Sequence, residues 1–144
     1  MITSLEGHRE GLIFYDSDGH LLTDVPSFIS NQTGALALDN SIAVDGQGTI
    51  YALSDGVVYK FAPDGKYLDL WDVRADTGGG NALAVDGQGR VFVAGSRAVF
   101  VYSAEGWLEK QFPVEQTWDI AVDDEGSLWA VGRNQVTRYT LSGW

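Results

Sequence analysis

The chain has no cysteine, which removes disulfides, thiol nucleophiles and thiolate-held metal centres from consideration. Histidine is limited to His8 and His20, and neither stands in a pattern that suggests a nucleophile–base pair. Cationic side chains are scarce: 9 Lys and Arg against 20 Asp and Glu leave a formal charge of −11. Such a balance repels phosphate backbones, so neither nucleic acid nor an anionic membrane is an expected partner. No apolar run approaches membrane-spanning length, and residues 1–16 lack the basic segment and long apolar stretch of a signal peptide. The expectation is a soluble protein, with the cytoplasm favoured and export left open. Proline is down to 3 residues while glycine reaches 18, which suits a chain that turns often and tightly. With 44% apolar residues in 144, one globular domain can bury a core.

What is present is a repeat. The stretch SIAVDGQGTIYALSDGVVYKF at 41–61 returns as ALAVDGQGRVFVAGSRAVFVY at 82–102 and as DIAVDDEGSLWAVGRNQVTRY at 119–139. A second marker, aromatic–x–x–x–Gly, is independent of the first and begins at Tyr15, Phe61, Tyr102 and Tyr139. Short apolar runs bounded by Gly and Asp predict strands joined by tight turns. Each unit holds strands a to d, with a ending on the AVD triplet and c ending on the aromatic residue. No window carries helical spacing over a dozen residues. The single domain, 1–144, divides into an incomplete unit at 1–33 lacking strand a, whole units at 34–75 and 76–114, and an incomplete unit at 115–144 lacking strand d.

A four-stranded unit of roughly forty residues has the size of a propeller blade. The phrase IAVD–x–x–G–x–aliphatic–aromatic, closing on aromatic–x–x–acid–Gly, resembles the NHL repeat, with the best fit in SIAVDGQGTIYALSDGVVYKFAPDGKYLDLW. It is also similar to related six-bladed families, the gluconolactonase-like lactonases and the strictosidine synthase-like proteins. The resemblance implies an all-β fold, a β-propeller-like array of four-stranded antiparallel blades. Two features depart from the pattern: the b–c loops lack the usual Asn-Asn-Arg run, and the chain supplies barely four units. An open fan would leave apolar faces and unpaired edges exposed. Closure could come from a second copy, from a partner protein or from a tight four-position ring; homo-oligomerisation is the expectation, with a two-fold dimer favoured.

Strand order puts the a–b and c–d turns on one face and the d–a and b–c connections on the other. The first face gathers the acids: Asp16, Asp18, Asp45, Asp64, Asp86, Glu105, Asp123, Asp124 and Glu125. Turn chemistry accounts for them, because Asp bonds its own backbone and Gly supplies positive φ. Calcium at 16–19 or 123–126 is the sharper alternative, though neither stretch has the further spaced ligands of an EF-hand loop. The opposite face gathers His8, Arg9, Arg97 and Arg133. Around its centre stand Asn40, Asn81 and Trp118, each two residues before the apolar run of strand a, and Asp119. In lactonase-like propellers an Asn just before this strand resembles a divalent-metal ligand, a place that Asn40 and Asn81 match.

The expected function is a non-catalytic binding or scaffold module. Its funnel, lined by Asn40, Asn81, Trp118 and Asp119, and its loop face would meet a protein, peptide or small polar ligand. The alternatives are a metal-dependent lactonase-like hydrolase and a structural piece of a larger or engineered propeller. No catalytic residue is assigned, and no cofactor is expected beyond calcium as an alternative. The aromatics repeated in strand b (Tyr51, Phe92, Trp129) and strand c are expected to be core.

Overall fold

The computed structural model describes residues 2–3, 11–26 and 41–141. The expected long connection over 27–40 lies outside the described residues, as do Asn40, His8 and Arg9. Among the described residues the fold is all-β, with four antiparallel sheets following one another along the chain. The first contains β1 (Ile2–Thr3), β2 (Gly11–Tyr15) and β3 (Leu21–Pro26). The second contains β4 (Ser41–Val44), β5 (Ile50–Ser54), β6 (Val57–Phe61) and β7 (Tyr67–Asp72). The third repeats this order with β8 (Ala82–Val85), β9 (Val91–Ala94), β10 (Ala98–Tyr102) and β11 (Leu108–Pro113). The fourth holds β12 (Asp119–Val122), β13 (Ser127–Val131) and β14 (Val136–Thr140). Among the described residues no helix is long and apolar enough to cross a membrane.

Why these strands stack is written in their side-chain parity. A strand turns alternate residues to opposite faces, and β5 and β9 are apolar at almost every position of both. Tyr51, Leu53 and Val58 of the second sheet are buried against Leu83, Val91, Val93, Phe100 and Tyr102 of the third. The opposite face of the third sheet, Phe92, Ala94, Val99 and Val101, is buried against Ile120, Leu128 and Ala130 of the fourth. The other face of the second sheet (Ile50, Ala52, Tyr59, Phe61) is equally buried. Full burial of each such large side chain contributes about 1.5–3 kcal/mol. The fourth sheet breaks the pattern. Leu128 and Ala130 are covered, but Trp129 and Val131, on the other parity of the same strand, are 38% and 40% exposed.

The first strands of successive sheets lie side by side, β4 against β8 and β8 against β12. One side chain bridges the first of these gaps. Ser41 Oγ accepts the Leu83 N–H at 2.7 Å and donates back to the Leu83 carbonyl at 3.3 Å. It thus satisfies a strand edge that has no ladder partner in its own sheet. Further out, Lys60 Nζ of β6 donates to the Ala104 carbonyl in the third sheet's c–d turn at 2.9 Å.

One helical turn was not legible in the sequence. α1 (Arg74–Thr77) sits between β7 and β8, and its four residues are too few to carry any periodicity. Gly78 closes it in the left-handed conformation, φ 73°, donating to the Arg74 carbonyl. Asp76 of this turn accepts the Tyr102 hydroxyl at 2.9 Å.

Ser41→Ala leaves the Leu83 N–H without its partner, and a destabilisation of about 1–3 kcal/mol is expected in urea unfolding. Gly106 has φ 91°, and a Cβ there would stand 2.7 Å from a Trp71 ring carbon, whereas Gly19 (φ 85°) faces open space. Gly106→Ala should therefore cost clearly more than Gly19→Ala, by about 1–3 kcal/mol, the penalty of overpacking. Equal losses would show that the Trp71 contact is not tight.

Candidate functional site

The acids that close strand a in three of the units are committed to holding their own turns. Asp45 Oδ1 accepts the N–H groups of Gln47 and Thr49, both at 2.9 Å. Asp86 Oδ1 accepts those of Gln88 and Arg90, and Asp123 Oδ1 those of Glu125 and Ser127. In each turn a glycine in the left-handed region (Gly48, Gly89, Gly126) donates to the carbonyl of that Asp, as expected of a tight turn followed by a positive-φ residue. A side chain just before or within the following strand holds the second carboxylate oxygen in two cases. Arg90 Nε lies 2.6 Å from Asp86 Oδ2, and the Trp129 indole N–H donates to Asp123 Oδ2 at 2.8 Å.

These bonds leave electrostatic signatures. The Ser127 N–H, then the Trp129 indole, hold the Asp123 carboxyl below its ordinary value of 3.8. Burial, reinforced by Asp45 and Glu105, pushes the Tyr51 hydroxyl up to about 12. Tyr102 is raised by burial and by its bond to Asp76.

A depression of about 540 Å³ opens where β4, β8 and β12 end together, lined by Val44, Val85 and Val122 and by Asp45, Asp86, Arg90, Asp123 and Asp124. The three strands therefore run the same way, and their starting residues share the opposite end. There Asn81 N–H donates to the Ala94 carbonyl at 2.6 Å, and Trp118 N–H donates to the Val131 carbonyl at 2.8 Å. The two residues thus occupy one backbone position in neighbouring units with unlike side chains. Trp118 is 56% exposed. Asp119 is exposed and accepts the adjacent Ile120 N–H at 2.9 Å. Arg97 and Arg133 are exposed in the b–c loops at this same end, the latter beside a shallow pocket that also takes in Glu115 and Gln135. In that pocket Gln135 Nε2 donates to Glu115 Oε2 at 2.6 Å.

Sequence reasoning gave no weight to Ser41 or Lys60, whose side chains hydrogen-bond from one sheet to the next. Ser41 stands where the other units have Ala82 and Asp119, and that mismatch was the one available signal. The 16–19 stretch named for calcium also has a defined geometry. Asp16, Asp18 and His20 bring one ligand atom each within 4.8 Å of one another, all exposed. Asp16 is already engaged: Oδ1 accepts the Asp18 and His20 N–H groups, and Oδ2 lies 3.2 Å from His20 Nδ1. The backbone bond from His20 is the main reason its carboxyl lies below the ordinary value.

No family model matches the chain, and no curated protein matches it. The likeness to NHL repeats accordingly stands on the repeated residues themselves.

The depressed carboxyls fix a pH response. A group whose folded pKa lies below its unfolded value adds stability that is complete above the unfolded value and disappears as pH falls through the folded one. Tm should therefore hold near neutrality and fall as pH drops below 3.8, the ordinary value for Asp16 and Asp123. Asp123→Asn keeps an acceptor for the turn N–H groups but cannot titrate, so it should make that acid decline shallower. An unchanged decline, measured by circular dichroism, would remove Asp123 from this account.

Proposed function

We propose that the chain is a non-catalytic scaffold of propeller-like architecture. It assembles with itself and offers the end around Asn81, Trp118 and Asp119 to a protein, peptide or small polar ligand. The fate of the turn carboxylates carries this reading. The polar groups common to the units are bound up in folding them, with Asp45, Asp86 and Asp123 each holding two backbone N–H groups. Variation between units falls instead at the starts of β8 and β12, where an exposed tryptophan stands beside a carboxylate. An aromatic ring with a polar neighbour is the kind of surface that recognition uses.

The side-by-side first strands and face-to-face sheets support the propeller-like arrangement. Self-association is supported by the exposed apolar parity of the fourth sheet. The competing lactonase-type reading would place a divalent metal on Asn40, Asn81 and Asp119. Calcium takes six to eight oxygen ligands, several of them carboxylates, and this set has a single acid.

Calorimetric titration with calcium separates the two. We expect no saturable heat that depends on this end of the molecule. Tight binding abolished by both Asn81→Ala and Asp119→Ala would overturn the scaffold reading in favour of the hydrolase. Light scattering tests assembly directly: a species heavier than the 15.6 kDa chain is expected, and the lone chain at every concentration would overturn it.

A further inference from the structure

Three positions in the repeat face the following sheet, and their exposure changes abruptly at the end of the series. The first is Tyr51 (1% exposed), Phe92 (0%) and then Trp129 (38%). The second is Leu53 (0%), Ala94 (0%) and then Val131 (40%). The third is Val58 (0%), Val99 (0%) and then Val136 (62%). The residue types stay apolar while the cover is missing among the described residues. What such a face accepts is recorded twice in the molecule: the opposite parity of another sheet of the same repeat.

A charged contact accompanies the apolar one. Lys60, paired with Tyr51 across β5 and β6, lies over the Tyr51 ring, 5.8 Å from its centroid, and crosses to the Ala104 carbonyl in the next sheet's c–d turn. Arg138 holds the same place in the fourth sheet, paired with Trp129 and with its Cζ 5.4 Å from that ring's centroid. It pairs with Glu125 at 3.0 Å and with Asp123 at 3.9 Å on its own sheet, and it is 46% exposed. In the first sheet, the c–d turn residues matching Ala104 and Glu105 are Ser17 and Asp18. That turn is exposed and acidic, with Asp16 next to them.

We propose that the outer face of the fourth sheet (Trp129, Val131, Val136, Arg138) docks on the first sheet of a second copy of this chain, with Arg138 against the turn at 16–19. The junction continues the internal sheet-on-sheet interface across two molecules. It is head-to-tail, and two such junctions related by a two-fold axis close a dimer. This inference rests on the self-assembling reading above and adds the surface and its polarity.

The test is light scattering and sedimentation on the full chain. Wild type should have twice the chain mass. Val136→Glu, an exposed substitution that would bury a carboxylate in the junction, should weaken the dimer at least about a hundredfold. Arg138→Asp and Asp18→Arg should each weaken it about tenfold or more when alone. Mixed together, the two variants should form a tight heterodimer. One of its junctions brings both substitutions face to face with the charges exchanged, and the other is native. A wild-type dimer indifferent to Val136→Glu overturns the proposed surface while leaving self-assembly standing. Loss of the dimer with Arg138→Asp but not with Asp18→Arg, and no rescue on mixing, overturns the head-to-tail polarity. A ladder of larger species overturns closure at two. Wild type that stays at the chain mass overturns this inference and the self-assembling reading together, and leaves the face to a different protein.

Discussion

The structure depends on a constraint that a single sheet cannot meet. Strands β5 and β9 are apolar on both parities, so each sheet must be covered on two sides to keep that surface from water. Within the chain the second and third sheets meet the condition, with Tyr51, Leu53, Phe92 and Ala94 all buried. Everything else follows from stacking. The first strands crowd together, Ser41 is placed to reach Leu83, and Lys60 comes within range of the neighbouring turn. The turns themselves need no neighbour. Their Asp, their Gly and the N–H groups they bind all lie within five residues.

That division explains what could be read from the residues and what could not. Strands a, b and c and their turns were legible because their determinants are local: an apolar alternation, an Asp that binds its own backbone and a glycine at positive φ. The all-β, antiparallel character followed directly. α1 was invisible because four residues, RADT, offer no period, and its end is set by Gly78. Trp129 was expected in the core with Tyr51 and Phe92, and the identical pattern misled. A residue type records which parity is apolar, not whether a neighbour is present to cover it.

The candidate site was legible to a similar depth. Strand order alone put Asn81, Trp118 and Asp119 at the starts of first strands, which is where they are found. It could not say that a depression opens at the other end of those strands, because its walls come from Asp45, Asp86 and Asp123 in three different sheets. That these carboxylates bond their own backbone was legible, but not that Arg90 and Trp129 also hold Asp86 and Asp123. Contacts between sheets, unlike those within a turn, leave no mark at short sequence separation.

The self-contained turn has a consequence for how such a chain can change. Because Asp45, Asp86 and Asp123 each complete a turn without help from another unit, a unit can be copied, lost or exchanged without disturbing the hairpins on either side. What does not transfer freely is the fit between sheets, where Leu53 in one unit faces its neighbour and the smaller Ala94 stands in its place in the next. Duplication would then set how many sheets there are, and substitutions at these facing positions would tune the angle between them. The number of units and the fit between them are thus separable properties, carried by different residues of the same repeat.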